Sequence, residues 1–545
     1  MDDLQVARLD HLGIISGVIK DLGLIEKIDE RIDPDADEAI STGEAVAGML
    51  LNGLGFTQRP LSLTPQFFVN KPLDRLFRRG VQADHFNHFK LGRSLDKVFR
   101  YGCDTLFSEL SLWACKQEGV DRRFRHVDTT TFSLHGDYVP ESDAQAILIT
   151  HGYSKDHRPD LKQAVLELMT AQDGGIPLAS QSWDGNASDL LIFQARAQAL
   201  IDEFKAAPTP AFMVADSKLY TEKKAPFLAQ VPFLTRIPET LQVAQQVIEQ
   251  AWAWNGWQPQ DEAYRFQRID LGHYGIVQRW LVITSQTGWH QAQEAVAKAQ
   301  EKEYNAIQKQ LYPLHAQRFS SEQQAQTGLD RLARKWKYHQ VDQTTSTSQI
   351  HYAHKGRPSV DTPIKSIDWQ LQVTVVADPE KRRAQQQRKA SFVLATNIDS
   401  QELSDKEILP GYKGQGTAER GFRFLKDPLF FTASLFVKKP SRIQGLLMVM
   451  TLALLVYSIA QRRMRQQLAL QKETLSNQIG CPTATPTLRW IFQLLEGINV
   501  VTLGRQQPVR VIIEGLTDLR KKILLLFGQK VCQIYQISYI STCSM

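Results

Sequence analysis

Residues 123–134 read RFRHVDTTTFSL, a run of β-branched and aromatic side chains around one aspartate, Asp128. This composition predicts a β-strand, because branched and aromatic side chains pack well on a pleated surface. A carboxylate on a strand projects from a rigid frame, which suits a residue that must hold a ligand in fixed geometry. Asp128 is therefore the first candidate functional residue.

Downstream of this stretch the chain carries further strand-like runs. They lie at residues 161–170, 176–183, 210–215, 233–237 and 391–398. The run at 210–215, PAFMVA, is short and wholly apolar, as expected of a buried parallel strand, and it ends at Asp216. A loop followed by a helix is predicted over 404–426. These alternating elements indicate an α/β class in which Asp216 is a second rigidly placed carboxylate.

The pattern of apolar residues changes along the chain and divides it into five predicted parts. These are a helical N-terminal accessory or DNA-binding domain at 1–115, a first core part at 120–245, an insertion domain at 246–390, a second core part at 391–470 and a helical C-terminal region at 471–545. In the insertion, strand-like runs stand beside long charged helices and depart from βα alternation. We therefore expect a β-rich domain inserted into an α/β core.

Composition places the chain among ordinary globular proteins. It has 545 residues, 43% hydrophobic and 22% charged, with a net charge of +6. That mild excess is compatible with a polyanionic partner. Four basic clusters could neutralise phosphates or could lie on solvated faces, namely Arg122–Arg125, Lys381–Arg383, Arg388–Lys389 and Arg462–Arg465.

Cysteine usage and the N-terminal sequence favour a cytoplasmic protein. The five cysteines are scattered without CxxC or zinc spacing, and the first residues lack the basic and apolar regions of a signal peptide. Residues 443–461 are uncharged over the length of a membrane span. Polar residues interrupt this segment, so we expect a buried core helix and no membrane partner. The open alternative is a membrane-anchored protein.

The stretch YKGQGTAERGFRFLK at 412–426 carries a third candidate carboxylate, Glu419. Helical spacing places Glu419, Arg423 and Lys426 on one face. Taken alone, this pattern fits an exposed helix with ion pairs as well as it fits a functional site.

The stretch also resembles a known family signature. Tyr412, Glu419 and Lys426 stand at the tyrosine, glutamate and lysine positions of the signature, tyrosine, arginine, glutamate and lysine, of a large group of insertion-sequence DDE transposases. In that family the glutamate is the third catalytic carboxylate. The chain departs from the signature at Gln415, where the family usually has arginine, and glutamine would weaken one phosphate contact.

A second stretch supports the resemblance. GYSKDHRPDLKQ at 152–163, DGGIP at 173–177 and GNASD at 185–189 look like the family's segment downstream of its first aspartate. The aspartates are 88 residues apart (128 to 216), and Glu419 follows 203 residues after the second (216 to 419). This spacing leaves room for the β-rich insertion that the family carries. The resemblance covers residues 120–470.

The resemblance implies a ribonuclease-H-like core in which Asp128, Asp216 and Glu419 bind two Mg²⁺ ions, with Mn²⁺ able to substitute. It implies strand cleavage at transposon terminal inverted repeats and strand transfer into target DNA, by a homodimer that holds two double-stranded ends. The implied DNA-contacting residues of the signature helix region are Tyr412, Gln415, Arg423 and Lys426. A cytoplasmic, nucleoid-associated location follows from DNA as the partner.

Other candidate residues have two interpretations each. Lys155 and Arg158 are candidate DNA contacts or members of a surface ion-pair set. His126 shares the strand face of Asp128 and is a candidate metal ligand or a packed core histidine. In the insertion, Trp254, Trp257 and Trp280 are candidates for stacking on a flipped DNA base or for core packing.

One alternative function stays open at this point. A catalytically inactive, transposase-derived DNA-binding protein or repressor would retain end binding without cleavage, and Gln415 is the feature that suggests it. The two hypotheses differ in whether Asp128 is needed for nicking of terminal inverted repeats.

Overall fold

The computed structural model describes residues 4–35, 37–57, 59–138, 146–188, 191–192, 194–196, 198–199, 211–353, 357, 360, 363–430, 437–503 and 510–539. Backbone contacts divide the chain into two compact units. The first comprises Met1–Leu219, Pro226–Phe233 and Pro410–Met545, and the second comprises Tyr220–Ala225 and Leu234–Leu409. The five-part division predicted from the sequence stays a prediction.

The N-terminal part of the first unit is mostly helical. Its elements are β1 (Leu4–Arg8), α1 (Leu12–Asp21), α2 (Leu24–Asp29), α3 (Thr42–Leu54), α4 (Thr64–Phe68), α5 (Leu73–Leu76), α6 (His88–Tyr101) and α7 (Cys103–Gln117). The start of α3 illustrates why the chain turns into a helix here. Ser41 accepts a hydrogen bond from the backbone of Glu44, and the Glu44 carboxylate accepts one from the backbone of Ser41, which is a capping box.

Four strands of the first unit carry the two candidate aspartates. They are β2 (Phe124–Leu134), β3 (Lys162–Ala171), β4 (Pro177–Trp183) and β5 (Phe212–Ala215), in the spatial order β4-β3-β2-β5. The pairs β2–β3 and β3–β4 are antiparallel, while β2 and β5 run parallel. The bounds match the predicted strands to within two residues at either end, because each is a compact apolar or β-branched run.

Four helices follow the core strands along the chain. They are α8 (Ala225–Leu228), α13 (Asp405–Lys413), α14 (Gly416–Leu425) and α15 (Pro440–Gln471). Helices α9 to α12 lie between α8 and α13 in the chain and belong to the second unit. The predicted loop at the start of 404–426 is helical from Asp405 on. Helix α14 carries Glu419 and packs against β2, β3 and α15.

The long helix α15 contains the uncharged segment 443–461. By length and composition it could cross a membrane, but 89% of its most apolar window is buried inside the protein. It packs against α3, α6, α7 and β4. This burial confirms the predicted core helix and accounts for its apolar composition.

The second unit has its own strands and helices. They are β6 (Phe233–Arg236), α9 (Gln242–Trp254), β7 (Gln258–Pro259), β8 (Tyr264–His273), β9 (Ile276–Ser285), α10 (Gln286–Ala316), α11 (Glu322–Ala333), β10 (His339–Tyr352), β11 (Ile364–Ala377), α12 (Pro379–Ala390) and β12 (Ser391–Thr396). Five strands lie in the order β6-β12-β9-β8-β7, and β10 pairs with β11 as a separate ribbon. A small core of leucine, isoleucine, valine and Trp336 side chains joins α10, α11 and β11.

The C-terminal region was expected to be helical, and the structure adds strands to it. Its elements are β13 (Leu475–Ser476), β14 (Pro482–Thr483), α16 (Leu488–Leu494), β15 (Asn499–Leu503), β16 (Arg510–Glu514), α17 (Asp518–Leu525) and α18 (Gln529–Ile534). Strand β15 lies between β1 and β16 in an antiparallel sheet. The partner β1 comes from the other end of the chain, and such pairing cannot be read from local sequence.

Candidate active site

Asp128 and Asp216 are brought to the same level by parallel pairing. In the register of β2 and β5, His126 lies opposite Val214. Asp128 lies two residues further along β2, and Asp216 lies two residues beyond Val214, directly after the end of β5, so the parallel register brings the two aspartates to a similar level. Both side chains are partly buried.

Glu419 reaches this region on the first turn of α14. The helix lies close to its neighbours because Gly421 has no side chain. A Cβ at that position would lie 3.0 Å from a methyl of Leu168 and 3.1 Å from a methyl of Leu454. The hydroxyls of Thr417 and Thr170 also hydrogen-bond at 2.9 Å, which fixes α14 to β3.

The three carboxylates interact electrostatically. Burial is the main cause that raises the pKa of Asp128, and the charges of Asp216 and Glu419 raise it further. The ammonium of Lys155 and the backbone N–H of Thr129 oppose this rise. Carboxylate oxygens are the donors that hard divalent cations prefer.

The side chains of the three carboxylates are not gathered into a metal-binding group in this structure. Among the described parts of the chain, no group of three or more histidine, cysteine, aspartate or glutamate side chains is arranged to hold a metal ion. Asp128 Oδ1 instead accepts the N–H of Thr129 at 2.7 Å, and Asp216 Oδ1 accepts the N–H of Lys218 at 2.9 Å. The donor chemistry fits a divalent cation, while the side chains make local backbone contacts.

Lys155 lies beside Asp128 and is engaged with the protein. Its Nζ donates to the carbonyl oxygen of Thr129 at 2.6 Å and to the Thr129 hydroxyl at 2.5 Å. Arg158, the other candidate cation of this loop, is exposed and pairs with Asp160 at 2.7 Å. The ion-pair interpretation therefore describes Arg158 in this structure, while Lys155 is a neighbour of the candidate site.

The remaining signature residues lie around α14. Tyr412 is in α13 and is partly buried, and Gln415 directly precedes α14 without a side-chain capping bond. Arg423 is exposed, and Lys426 Nζ donates to Asp156 Oδ1 at 2.7 Å. The sequence places Asp156 in the polar cluster of Lys155 and Arg158 but gives it no role, and its pairing with Lys426 was not predicted.

His126 is fully buried, and the core-packing interpretation describes it. Burial lowers the pKa of its imidazole to about 4. A Cβ at Gly414 would lie 2.6 Å from Nε2 of this ring, so the chain needs glycine there to pass. The imidazole thus packs under the segment that leads into α14.

The tryptophans of the second unit differ sharply in exposure. Trp254 is 60% exposed, and Trp257 is partly buried against Trp252, with ring centroids 4.9 Å apart. Trp280 is fully buried, and its indole N–H donates to Gln278 at 2.9 Å. Base stacking by Trp280 is therefore wrong, because no face of its ring is accessible.

The basic cluster at the end of α15 faces the interior. Arg462 is 8% exposed and pairs with Asp173 at 2.6 Å, and Arg463 pairs with Glu118 at 2.6 Å. For Arg462 and Arg463 the phosphate-binding interpretation is wrong, because their guanidinium groups neutralise carboxylates of the protein itself. Arg465 donates to the carbonyl oxygens of Pro486 and Thr485. In α12, by contrast, Arg382 is exposed.

Comparison with known proteins places this site in a family. The model of the family described as "Transposase DDE domain" matches residues 120–456, and that described as "Domain of unknown function (DUF4277)" matches residues 4–112. No curated protein matches the sequence. One solved structure, "Cryo-EM structure of piggyBac transposase synaptic complex with hairpin DNA (SNHP)", is 8% identical with a TM-score of 0.33, covering 84% of this chain and 77% of that one. The family match spans more than half of the chain and includes Asp128, Asp216 and Glu419, so this protein belongs to the DDE transposase domain family and is a DNA transposase.

Proposed function

We propose that Asp128, Asp216 and Glu419 are the catalytic carboxylates of this transposase. The observation that carries the proposal is the parallel pairing of β2 with β5, which brings Asp128 and Asp216 to a similar level. The charges of Asp216 and Glu419, which raise the pKa of Asp128, support a common site for residues that lie 88 and 203 positions apart along the chain. Their oxygen donors suit two Mg²⁺ ions, and Mn²⁺ would substitute because it accepts the same ligands.

Two divalent cations in such a set would stabilise the attacking and leaving oxygens of an in-line phosphoryl displacement. The residues of the chain then have separate tasks. Lys155 favours the ionised form of Asp128 and so keeps it able to bind a cation. The parallel pairing of β2 with β5 and the close packing of α14 at Gly421 support a common site for the two aspartates and Glu419.

The reaction that we propose is cut-and-paste transposition of an insertion sequence. Water would first cleave a strand at a terminal inverted repeat, and the freed 3′-hydroxyl would then attack a phosphodiester of the target DNA. Because two transposon ends must be held together, we propose a homodimer in the DNA complex. A cytoplasmic enzyme associated with the nucleoid would meet this substrate directly.

We also propose that the core is ribonuclease-H-like, with parts at 120–245 and 391–470 and a β-rich insertion at 246–390. The domains at 1–115 and 471–545 would flank this core. The strand order β4-β3-β2-β5, with one parallel pair beside an antiparallel meander, supports the core assignment. The second compact unit and its separate β10–β11 ribbon support the insertion.

Several residues are proposed DNA contacts. In the proposed core they are Tyr412, Gln415, Arg423, Lys426, Lys155 and Arg158, and in the proposed insertion they are Trp254 and Trp257. The exposure of Arg423 supports a phosphate contact, and Arg158, which pairs with Asp160 on the surface, would exchange that partner for a phosphate. The exposed ring of Trp254 offers a face on which a base could stack.

The test is nicking of DNA duplexes that carry the element's terminal inverted repeats. We expect Asp128→Asn to lower the nicking rate by at least about a thousandfold in Mg²⁺ or Mn²⁺, because one cation loses a charged ligand. Calorimetric titration with Mn²⁺ should show weaker binding by the same variant. Asp518→Asn is the matched control, since Asp518 is fully exposed on α17 and should behave as wild type.

Two results would count against the assignment. Nicking by Asp128→Asn at the wild-type rate would remove Asp128 from the catalytic set. End binding without cleavage by the wild-type protein in any divalent metal would instead favour a catalytically inactive, transposase-derived DNA-binding protein. A gel-shift assay on the same duplexes separates these outcomes.

A further inference from the structure

The loop at 152–160 is built into the fold at its base. Gln163 on β3 is 1% exposed, and its side-chain N–H groups donate to the carbonyl oxygens of Tyr153 at 3.2 Å and Gly185 at 2.6 Å. A Cβ at Gly152 would lie only 2.1 Å from the Gly185 carbonyl oxygen. Close backbone packing and a buried amide therefore fix where the loop begins.

Lys155 then fastens the loop to the strand of Asp128. Its backbone N–H donates to the hydroxyl of Thr131 at 3.2 Å. Its side chain donates to Thr129, the residue next to Asp128. The loop thus contacts β2 directly beside the first carboxylate.

The next residue, Asp156, fastens the same loop to the helix of Glu419. Its carboxylate pairs with Nζ of Lys426 at 2.7 Å, and that ammonium also lies over the ring of Phe132 on β2, 5.7 Å from the centroid. Lys426 directly follows Leu425, the last residue of α14, and caps the C-terminus of that helix. It lies seven positions after Glu419, about 10 Å along the helix axis.

We infer that Asp156 is a positioning residue of the active site, which through Lys426 holds α14, and with it Glu419, against the strand of Asp128. The inference rests on the proposed catalytic role of Asp128 and Glu419. Lys155 and Asp156 are adjacent in the loop, and together they connect the strand of Asp128 with the helix of Glu419. Asp128 and Glu419 are 291 positions apart in the chain (128 to 419). Asp156 acts through Lys426 and touches neither carboxylate in this arrangement.

The ion pair between Asp156 and Lys426 is partly exposed, so it contributes little to the stability of the fold. The Asp156 and Lys426 side chains are 37% and 27% exposed, so the ion pair is partly screened by water. Its loss should leave the fold intact and should loosen the end of one helix. A small misplacement of a catalytic group lowers the rate of the chemical step more than it lowers substrate binding.

The experiment compares Asp156→Asn with Asp160→Asn in nicking assays on terminal-repeat duplexes. Asp160 is in the same loop and pairs only locally with Arg158, so its variant should keep the wild-type kcat. We expect Asp156→Asn to lower kcat about threefold to tenfold with an unchanged KM for DNA. Its Mn²⁺ affinity, measured by calorimetry without DNA, should fall about twofold to fivefold. Asp156→Glu should recover most of the kcat.

A double-mutant cycle tests the route through Lys426. In a Lys426→Met background, Asp156→Asn should change kcat by less than about twofold, because its partner is already gone. An equal fall in both backgrounds would overturn the inference. A lower KM with an unchanged kcat would overturn it as well, and would show that Asp156 competes with DNA for Lys426.

Failure of the inference is distinguishable from failure of the proposed function. If Asp128→Asn abolishes nicking while Asp156→Asn has the wild-type kcat and Mn²⁺ affinity, only the positioning role is wrong. If Asp128→Asn nicks normally, the catalytic set itself is wrong. A thermal unfolding midpoint for Asp156→Asn equal to that of Asp160→Asn guards against a folding defect.

Discussion

The imidazole of His11 stacks on the ring of Phe492, with centroids 4.1 Å apart and planes inclined by 16°. His11 directly precedes α1, and Phe492 lies in α16, so the contact joins the two ends of the chain. The His11 Nε2 atom is also 2.9 Å from the carbonyl oxygen of Leu54. With a carbonyl as the acceptor, Nε2 carries the hydrogen, and the other ring nitrogen is unprotonated in the neutral form.

This contact predicts sensitivity to acid. Burial lowers the pKa of His11 to about 4, from an ordinary value of 6.5. Because the unfolded state takes up the proton more readily, the free energy of unfolding should fall as the pH drops from 6.5 and level off below 4. The loss from this residue is about 3 kcal/mol at most.

Urea unfolding at pH 7 and pH 5 measures this effect. We expect His11→Gln to lose less stability on acidification than the wild type does. His88→Gln is the control, since His88 is exposed and its variant should keep the wild-type response. A His11→Gln protein that loses as much stability as the wild type would show that other groups control the acid response.

Regular elements were predictable where apolar residues have a clear period. The run predicted at 161–170 forms β3, and the run predicted at 391–398 forms β12 almost as predicted. Strand β10, HQVDQTTSTSQIHY at 339–352, was not predicted, because most of its side chains are polar and exposed. β10 is a strand because it pairs with β11, which lies in a different segment of the chain, so the local sequence of β10 does not reveal it.

The site was predictable only in part, for a related reason. Asp128 and Asp216 stand in or at the end of strand-like runs, so local sequence indicates them. Glu419 sits on an amphipathic helix that an ordinary surface would also produce, and only the family signature selected it. The pair of Asp156 and Lys426 joins residues 270 positions apart, and no local pattern predicts a contact at that distance.

The interior position of Arg462 predicts a large effect on stability. Its guanidinium donates to both carboxylate oxygens of Asp173, at 2.8 and 2.6 Å, and to the carbonyl oxygen of Glu118 at 2.9 Å. Arg462→Met would leave that carboxylate without its partner. We expect a loss of about 2 to 4 kcal/mol, somewhat below that of a fully buried pair because Asp173 is 28% exposed.

Chemical denaturation of Arg462→Met and Arg382→Met tests this difference. Arg382 is exposed on α12, and its variant should stay within about 0.5 kcal/mol of the wild type. Similar losses in the two variants would contradict the structural role of Arg462.

Two glycines make a matched pair for testing the base of the 152–160 loop. A Cβ at Gly152 would meet the Gly185 carbonyl oxygen at 2.1 Å, whereas a Cβ at Gly272 would meet no atom within 4 Å. Gly152→Ala should cost about 1 to 3 kcal/mol, because the backbone must move to relieve the clash. It should also slow nicking, since the loop carries Lys155 and Asp156. Gly272→Ala should leave both stability and nicking unchanged. If Gly152→Ala also has the wild-type free energy of unfolding, the close backbone packing between Gly152 and Gly185 is wrong.

Gln415 is the one residue of the chain that departs from the family signature. Gln415 precedes α14 and makes no side-chain capping bond, so Gln415→Arg removes no cap. A cation at a helix N-terminus costs about 0.3 to 1 kcal/mol, whereas a hydrogen bond to a charged phosphate contributes about 1.5 to 3 kcal/mol. The phosphate contact should outweigh the cost at the helix N-terminus, so Gln415→Arg should bind terminal-repeat DNA about fivefold tighter. The slope of the logarithm of the binding constant against the logarithm of the salt concentration should be steeper by about one. Fluorescence anisotropy across NaCl concentrations measures both, with Gln471→Arg, exposed at the end of α15, as the control for added charge. If the two variants show the same slope, Gln415 does not face the DNA backbone, and its difference from the family has no consequence for binding.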